Sequence, residues 1–384
     1  MAEVVDSRLR ALLVTRNFPP LVGGMERVNQ HLLIELARAW RVSLCGPADC
    51  AKWAPDAATV VATPLKPLLR FLLGNAWRAW RLARRERPHW VIAGSGLAAP
   101  MAWLAARASG ARLAVYLHGL DIIAPSLIYQ RFWLPFIRAC DVVLVNSENT
   151  GRLARERGVV VGRISVLHPG TDIPDLDPGA GPAFRGKHEL GQCPLLLSVG
   201  RFTRRKGLAE FVALALPTIA AEQPDVLLLI IGEEASDALH GASGSERDRI
   251  LTEARNAGVE ANMRFLGRCD EAALHSAYLA GDCHVFPVLD LPGDVEGFGM
   301  VALESAAHGL PTVAFAVGGV PDAVEAGRTG ELIMPGDYGA FAQAVSAQLA
   351  TPSTAERLAG CRRFAEGKSW DKFGERLREI LRHD

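Results

Sequence analysis

Residues 195–232 read LLLSVGRFTRRKGLAEFVALALPTIAAEQPDVLLLIIG, and this stretch indicates the fold class. A short apolar run, Leu195–Val199, precedes a helical pattern over Leu208–Ala221. A second and more apolar run follows at Val226–Ile231, and each run ends at a glycine. Continuous apolar strands that alternate with helices are typical of a parallel sheet covered on both faces. The stretch therefore predicts part of a doubly wound α/β domain.

The same alternation recurs in two series along the chain. The other predicted strands are Leu9–Thr15, Val42–Cys45, Trp90–Ala93, Leu113–Leu117, Val142–Asn146, Arg264–Leu266, Cys283–Pro287 and Thr312–Phe315. Residues 171–186 between the two series are rich in Pro, Gly and Asp, which predicts a linker. We expect two Rossmann-like domains, 1–172 and 173–368, facing across a cleft, followed by a C-terminal helix over 369–384. Ligands of such sheets bind beyond the carboxyl ends of the strands.

Composition excludes several classes of protein. The 384 residues are 49% hydrophobic and 22% charged, which excludes disorder and a disulfide miniprotein. Residues 1–172 carry 22 Lys and Arg against 12 Asp and Glu, so we expect this half to meet an anionic partner. The seven cysteines lack a C-x-x-C pair, which favours a reducing compartment. Without a membrane-length apolar run, or a signal-peptide pattern in residues 1–10, the sequence predicts a cytoplasmic protein.

The segment Glu296-Gly-Phe-Gly-Met-Val-Ala-Leu-Glu304 places two glycines before a predicted helix over Met300–Ala307. Gly297 and Gly299 allow the backbone to approach a ligand, and the N–H groups of the first helical turn can then face a phosphate. Glu304 lies more than a turn into the helix, where it could reach a ribose, and Glu296 could bind sugar hydroxyls from the loop.

A second segment, Gly200-Arg-Phe-Thr-Arg-Arg-Lys-Gly207, follows a strand and precedes a helix. Arg201 and Lys206 are five residues apart across a tight turn, so both can converge on one diphosphate. Arginine supplies a fork of donors and lysine a compact charge. A solvated basic turn is the alternative for this segment taken alone. Together with the glycine segment, it predicts one anion site.

These motifs, with Gly318-Gly-Val-Pro-Asp322, the Gly23-Gly24 loop and His118-Gly-Leu-Asp121, resemble the family 4 retaining glycosyltransferases of GT-B fold. The resemblance covers essentially the whole chain. The sequences around Gly23 and Glu296 are also similar to those of GDP-mannose-dependent mannosyltransferases such as the phosphatidylinositol mannosyltransferases. The resemblance implies that the first domain binds an acceptor, that the second binds a nucleotide sugar, and that the C-terminal helix returns to the first domain.

The resemblance also implies roles for single residues. Arg201 and Lys206 would grip the donor diphosphate and stabilise the leaving nucleotide, Glu304 would bind the ribose, and Glu296 would bind the transferred sugar. Further donor-binding residues, acting mainly through their backbones, would be Gly23, Gly24, Gly297, Phe298, Gly299, Met300, Val301 and Arg268. His118 would lie near the reacting carbon of the sugar.

Two more residues are candidates for the acceptor side. Asp121 could orient the His118 imidazole or touch the acceptor. Ser95 is a rim candidate between two glycines, although a helix cap would also explain it. The Asp175-Leu-Asp177 sequence spells the D-x-D of metal-dependent transferases, but its place in the linker favours a turn. We therefore expect no metal and no cofactor besides the nucleotide sugar, with GDP-mannose favoured over a UDP-hexose.

The segment 68–87 predicts a basic amphipathic helix. On a helical wheel, five arginines fall within an arc of about 120°; they are Arg70, Arg78, Arg81, Arg84 and Arg85. Leu69, Leu73 and Trp80 lie on the other side. Such a helix can contact an anionic membrane surface, while its apolar face packs on its own sheet. A peripheral position on the inner face of the plasma membrane and a lipid-linked or glycan acceptor follow from this interpretation.

The sequence leaves alternatives open. A sugar-nucleotide 2-epimerase of the same fold and a non-catalytic nucleotide-sugar-binding protein are the competing functions. Nucleic-acid binding is not supported, because the basic residues lack interleaved aromatic platforms. The donor, the acceptor, the linkage and the oligomeric state are not determined by the sequence.

Overall fold

The computed structural model describes residues 9–234, 245–351 and 354–383, and the chain divides into two units. Unit 1 extends to Gly170 and resumes at Lys368, and unit 2 spans Thr171–Gly367. Residues 1–8 lie outside the described residues. They make up most of the segment 1–10, for which the sequence predicts no signal peptide.

Unit 1 is built on a parallel seven-stranded sheet of order β3-β2-β1-β4-β5-β6-β7. Its strands are β1 (Arg10–Val14), β2 (Arg41–Pro47), β3 (Thr59–Thr63), β4 (Trp90–Ala93), β5 (Arg112–Leu117), β6 (Val142–Val145) and β7 (Ile164–Val166). The seven helices that connect them are α1 (Gly24–Ala37), α2 (Leu68–Glu86), α3 (Ala99–Ser109), α4 (Leu120–Ile123), α5 (Leu127–Phe132), α6 (Leu134–Arg138) and α7 (Glu148–Glu156). The central strands are buried, as their continuous apolar sequences predict.

Unit 2 is built on a parallel six-stranded sheet of order β10-β9-β8-β11-β12-β13. Its strands are β8 (Leu195–Val199), β9 (Leu227–Ile231), β10 (Met263–Gly267), β11 (Cys283–Phe286), β12 (Thr312–Phe315) and β13 (Gly330–Ile333). Its helices are α8 (Ala180–Lys187), α9 (Leu208–Leu214), α10 (Leu216–Glu222), α11 (Glu246–Asn256), α12 (Glu271–Ala280), α13 (Met300–Ala307), α14 (Val320–Ala323), α15 (Tyr338–Ala350) and α16 (Ala355–Glu366). The two doubly wound sheets confirm the predicted fold class.

Two local predictions are wrong in instructive ways. The predicted helix over Leu208–Ala221 is divided at Ala215 into α9 and α10, since Pro217 lacks the N–H that a continuous helix needs. The predicted linker over residues 171–186 contains α8. Before that helix, the Asp177 carboxylate accepts a hydrogen bond of 2.8 Å from Gly179 N, which is the turn role predicted for this acidic pair.

The C-terminal helix α17 (Trp370–His383) packs within unit 1. The Trp370 indole stacks on the His31 imidazole with ring centroids 3.8 Å apart, and Arg378 donates a hydrogen bond of 2.8 Å to Glu35 O on α1. Burial raises the pKa of the Glu35 carboxyl, and the charges of Arg38 and Arg378 oppose this effect.

The strand order puts a topological switch point in each unit. In unit 1, β1 lies between β2 and β4, and in unit 2, β8 lies between β9 and β11. The connections leave opposite sides of the sheet at such a point, which opens a crevice beyond the strand ends. The loops after β1 and β4, and those after β8 and β11, therefore form the places in each unit that favour ligand binding.

Candidate active site

In unit 2, the switch point brings together the two segments that the sequence singles out. The loop after β8 carries Arg201 and Lys206, and the loop after β11 carries Glu296. Leu289 N donates a hydrogen bond of 2.8 Å to Arg205 O, which ties the two loops together. The predicted convergence of the basic turn on the glycine segment is thus present in the structure.

Two cations contact one carboxylate at this point. Lys206 Nζ lies 2.8 Å from Glu296 Oε2, and Arg205 Nε lies 3.3 Å from the same oxygen. Arg205 also binds Asp294 Oδ1 at 2.6 Å and Val295 O at 3.1 Å. Only 12% of the Glu296 side chain and 20% of the Lys206 side chain are exposed. We call Arg201, Arg205 and Lys206, with Asp294 and Glu296, the cation cluster.

The pKa values of the buried pair reflect this surplus of positive charge. Burial lowers the pKa of the Lys206 ammonium. The charge of Glu296 raises this pKa, and the charges of Arg205 and Arg201 lower it further. Burial alone would raise the pKa of the Glu296 carboxyl, but Lys206, Arg205 and Arg201 together lower it. Glu296 is therefore an anion near neutral pH, surrounded by cations that a diphosphate could also use.

Glycines shape the loop in front of α13. Gly299 has a φ of 99°, a backbone conformation that residues with a side chain rarely adopt. A Cβ at this position would lie 3.0 Å from the Phe286 ring. A Cβ at Gly319 would lie 2.1 Å from Gly297 O, and Gly319 N donates a hydrogen bond of 2.9 Å to Glu296 O. The Gly-Gly-Val-Pro-Asp motif is thus the backbone support of the glycine segment.

Helix α13 begins directly after this loop, as predicted. Met300 and Val301 form its first turn and are partly buried, whereas the Phe298 side chain lies in the core, so that only the backbone of Phe298 could face a ligand. Glu304 Oε2 accepts a hydrogen bond of 3.2 Å from the Tyr278 hydroxyl. The carboxylate predicted to bind a ribose is therefore already oriented by a phenol.

The remaining basic candidates of unit 2 lie at the strand ends. Arg201 and Arg268 are exposed, and Arg268 follows β10 directly. Arg264, within β10, is directed elsewhere, because its guanidinium donates a hydrogen bond of 2.6 Å to His188 O after α8.

In unit 1, His118 follows β5 and is 7% exposed. Its Nε2 lies 2.9 Å from Gly94 O, and its own carbonyl accepts a hydrogen bond of 3.1 Å from Asn146 Nδ2. The imidazole is thus held at the switch point by the loop after β4. Gly23 caps α1 and Gly24 begins it, on the chain that continues from the loop after β1.

The structure corrects one role considered for Asp121, that of orienting the His118 imidazole, and the helix-cap explanation of Ser95. The Asp121 carboxylate accepts backbone hydrogen bonds from His118 N, Gly119 N and Gly96 N at 2.9, 3.1 and 2.9 Å, so it orients loops and not the imidazole. Ser95 stands at the N-cap position of the turn that follows it, but its side chain makes no capping hydrogen bond. Among the described residues the buried Ser95 hydroxyl has no hydrogen-bond partner, so the helix-cap explanation is wrong.

Comparison with known proteins agrees with this geometry in both units. The model for Glycosyltransferase Family 4 matches residues 22–174, and the model for Glycosyl transferases group 1 matches residues 182–361. The first matched region contains the loop after β4 and the end of the loop after β1, and the second contains the loops after β8 and β11. The chain belongs to glycosyltransferase family 4.

Individual relatives of this glycosyltransferase have different substrates in their names. A GDP-mannose-dependent alpha-(1-6)-phosphatidylinositol monomannoside mannosyltransferase of Mycolicibacterium smegmatis is 29% identical over 384 residues, covering 96% of this chain and 97% of that protein. A glycogen synthase of Mycobacterium tuberculosis is 28% identical over 391 residues, covering 91% of this chain and 88% of that protein.

Solved structures agree on the GT-B fold. Anabaena Alr3699/HepE, solved in complex with UDP and glucose, superimposes with a TM-score of 0.79 at 20% identity, covering 98% of this chain and 100% of that one. At this level of identity, the likeness shows the fold alone.

The glycosyltransferase has a surface on α2 that differs from the one predicted. Arg70, Arg81, Arg84 and Arg85 are exposed, but Arg78 is directed toward β3, where its guanidinium donates to Ala62 O at 3.0 Å and Thr63 Oγ1 at 2.9 Å. Arg78 therefore does not belong to the basic face. Its position on the wheel places it beside the buried stripe, which the carbonyl and hydroxyl of β3 can reach.

The apolar side of α2 packs on the sheet only in part: Leu72 and Ala76 contact the core of unit 1, whereas the other large side chains there are exposed. Leu69, Leu73, Trp77 and Trp80 are 67, 65, 56 and 38% exposed. The buried residues of α2 are Phe71, Asn75, Ala79, Leu82 and Ala83. Two of the arginines cover the indoles, with guanidinium carbons 5.6 Å from the Trp77 ring and 5.0 Å from the Trp80 ring. None of the described helices has the length and apolar character that a bilayer span requires.

Two residues of the site, Arg205 and Asp294, were missed by the sequence reasoning. Arg205 sits between Asp294 and Glu296 at the centre of the cation cluster, whereas the spacing argument singled out only Arg201 and Lys206. The adjacent basic residues of the turn could not be ranked from sequence. A signal was present in the acidic residue two positions before Glu296, which a buried arginine could pair with.

Proposed function

We propose that this glycosyltransferase is a retaining enzyme that moves a hexose from a nucleotide-diphosphate sugar to a lipid-linked or glycan acceptor. Mannose is the favoured hexose, and synthesis of a cell-envelope polysaccharide or glycolipid is the favoured setting. The cation cluster next to the N-terminus of α13 is the observation that carries the proposal. A partly buried group of cations beside a helix N-terminus is suited to a diphosphate.

In this proposal, Lys206 and Arg201 bind the two phosphates and stabilise the charge that develops on the leaving nucleotide. Such electrostatic stabilisation is commonly the largest single contribution to catalysis. Glu304 binds the ribose, and Glu296 binds hydroxyls of the transferred sugar. The cations supply the charge that a divalent metal supplies in other transferases, so we expect transfer to proceed in the presence of a chelator.

The choice of GDP-mannose rests on the name of the Mycolicibacterium relative, and a UDP-hexose is the alternative donor. Thermal-shift measurements with GDP, UDP, GDP-mannose and UDP-glucose test this choice, because a ligand that binds the folded protein raises its apparent stability. GDP and GDP-mannose should give the largest shifts. A larger shift with the uridine nucleotides would exclude GDP-mannose as the donor.

Incubation with a radiolabelled sugar nucleotide and a lipid extract tests the reaction itself. Transfer of label to lipid, with the anomeric configuration of the donor kept in the product, is the expected result. Formation of an isomeric sugar nucleotide would indicate a 2-epimerase. Binding of the nucleotide without any product from lipid or glycan acceptors would indicate a non-catalytic binding protein.

The exposed face of α2 supports a peripheral position on the inner face of the plasma membrane. Its apolar side can enter the interface between head groups and acyl chains, while its basic side meets anionic head groups. The Trp77 and Trp80 indoles, covered by arginines, suit this boundary because their rings have an apolar body and a polar edge.

Vesicle binding tests the membrane proposal. Replacing Arg81, Arg84 and Arg85 with Glu should abolish sedimentation with phosphatidylglycerol vesicles at low salt, since each basic residue contributes about 1 kcal/mol. Replacing Trp77 and Leu73 with Ser should weaken binding even when the charges are kept. Arg152, an exposed arginine of unit 1 paired with Glu156 on α7, is a matched control for charge reversal. Unchanged binding of both multiple variants would refute the proposal.

A further inference from the structure

A buried polar network in unit 1 ends on the ring of His118. Gly94 O accepts two hydrogen bonds, one of 3.0 Å from Asn29 Nδ2 and one involving His118 Nε2 at 2.9 Å. Asn29 Nδ2 also contacts Asn17 O at 2.9 Å. Asn29 lies in α1 and is completely buried, so it joins the loop after β1 to the loop after β4.

The acceptors of this network fix the hydrogen positions. A backbone carbonyl can only accept, so the His118 Nε2 that faces Gly94 O must carry a hydrogen. In the neutral imidazole, the lone pair is then on Nδ1. The same reasoning orients the Asn29 amide, because the two carbonyls it faces require its NH₂ group and not its oxygen.

The buried Asn29 side-chain oxygen, Oδ1, unlike its NH₂ group, lacks a hydrogen-bonding partner in the described part of the chain. An unpaired buried acceptor destabilises a fold, so an apolar residue or a smaller one would be easier to accommodate here. A Cβ at Gly94 would lie 2.5 Å from this oxygen, which shows how closely the amide packs on the Gly94 backbone. These contacts indicate that the NH₂ group of Asn29 has a specific task.

The network also reaches the glycine loop of unit 1. Asn17 Nδ2 donates a hydrogen bond of 2.8 Å to Glu26 Oε1, and Glu26 lies in the first turn of α1, two residues after Gly24. One buried chain of hydrogen bonds therefore connects the start of α1, the two switch-point loops and the imidazole.

We propose that Asn29 is a positioning residue that acts on sugar transfer through Gly94 O, by fixing the tautomer and the orientation of His118. The inference rests on the proposed function, with His118 near the reacting carbon of the sugar as the family resemblance implies. Asn29 itself touches neither donor nor acceptor. Its effect is to keep a lone pair on Nδ1 of the neutral ring, where it can accept a hydrogen bond from a substrate hydroxyl.

The variants Asn29→Ala and Asn29→Asp separate this task from simple packing. Alanine removes the amide, and aspartate keeps its shape but replaces the NH₂ group with an oxygen that repels both carbonyls. Asn75→Ala is the matched control, because Asn75 is also completely buried in unit 1 but contacts Thr63 and Met101. If one Asn29 variant does not fold, the other still tests the inference.

The first readout is the tautomer of His118, measured from the ¹⁵N shifts of its ring in histidine-labelled protein and assigned with the His118→Gln variant. The wild type and Asn75→Ala should show hydrogen on Nε2. Both Asn29 variants should show a mixture of tautomers, because the Gly94 carbonyl is then no longer held in line with the imidazole. An unchanged Nε2 tautomer in both Asn29 variants would overturn the inference, whatever their activity.

The second readout is transfer activity with a saturating donor. We expect the Asn29 variants to lose about 10- to 100-fold in kcat, as misplaced catalytic groups do, and Asn75→Ala to stay within about twofold of the wild type. A changed tautomer with unchanged kcat would overturn the positioning role. If His118→Gln also transferred sugar at the wild-type rate, the failure would belong to the proposed role of His118, and the tautomer result would still stand by itself.

Discussion

The contact between Lys206 and Glu296 allows two explanations of the lysine, which one pair of variants distinguishes. Lys206 Nζ is 2.8 Å from Glu296 Oε2, so the lysine could serve only to hold the carboxylate in place. In the proposed function, the same ammonium binds the donor diphosphate. Lys206→Ala and Glu296→Gln give opposite results for nucleotide affinity if the second explanation is correct.

The expected size of each effect follows from the charges. A hydrogen bond to a charged group contributes about 1.5–3 kcal/mol, so Lys206→Ala should weaken GDP binding by about 10- to 150-fold. Glu296→Gln removes a negative charge close to the phosphates and should leave GDP affinity unchanged or raise it, by up to about tenfold. Both variants should lower transfer, because Glu296 is proposed to bind the sugar.

The assay is isothermal titration of GDP and UDP into each variant, and Arg204→Ala is the control. Arg204 is an exposed cation two residues before Lys206, so its removal tests the general effect of lost positive charge. We expect it to change affinity by less than about twofold, because exposed charges are screened by solvent.

Stability has to be followed in parallel. Lys206→Ala leaves Glu296 with Arg205 Nε at 3.3 Å, so we expect a loss of only about 1–3 kcal/mol in the free energy of unfolding. Two results would refute the reasoning: unchanged GDP affinity in a folded Lys206→Ala variant, or an equal loss of affinity in Glu296→Gln.

Three further predictions concern single contacts. Burial lowers the pKa of His284 to about 3, so the unfolded chain is protonated at this histidine below about pH 6.5 whereas the folded chain is not. The free energy of unfolding should therefore fall by about 2 kcal/mol between pH 7 and 5. Urea denaturation of the double variant His284→Phe/Thr312→Val should lack this pH-dependent decrease. Trp370→Ala should lower the free energy of unfolding by about 3–5 kcal/mol, measured by urea denaturation. Arg376→Ala, on the exposed face of α17, should lower it by less than about 1 kcal/mol. Equal losses in the two variants would contradict the packing of α17. Tyr278→Phe should raise the KM of the donor about fivefold with kcat nearly constant, and steady-state kinetics with an unchanged KM would show that the phenol does not orient Glu304.

Much of the fold could be predicted because the buried strands are continuous apolar runs. Trp90–Ala93, Leu195–Val199 and Thr312–Phe315 have the predicted bounds, as does the helix Met300–Ala307. The strands β3, β7 and β13 were missed, because they lie at the sheet edges and are short or only partly apolar. An edge strand buries less of its surface, so its sequence carries a weaker signal.

Helix α2 shows a different limit of sequence reasoning. A helical wheel gives the angles between residues, but it does not give the direction of the core. The wheel separated the arginines from Leu69 and Leu73 correctly, yet the core lies on a third side, where the polar Asn75 is completely buried against Thr63 and Met101. Because a buried asparagine looks like a surface residue in sequence, the whole apolar side was assigned to the sheet, although only Leu72 and Ala76 of that side pack on the core and Leu69 and Leu73 are exposed.

The two switch points use different physical means, and ionic strength can separate them. In unit 2 the charges of Arg205, Lys206 and Glu296 dominate, so the affinity for GDP should fall as salt screens the exposed phosphates and Arg201. In unit 1 the contacts of His118 are neutral amide and carbonyl groups, which salt hardly affects. Raising the NaCl concentration from about 0.05 to 0.5 M shortens the Debye length from roughly 14 to 4 Å. GDP affinity should drop over this range while the His118 tautomer stays constant, and a tautomer that followed the salt would contradict the carbonyl-based account of the ring.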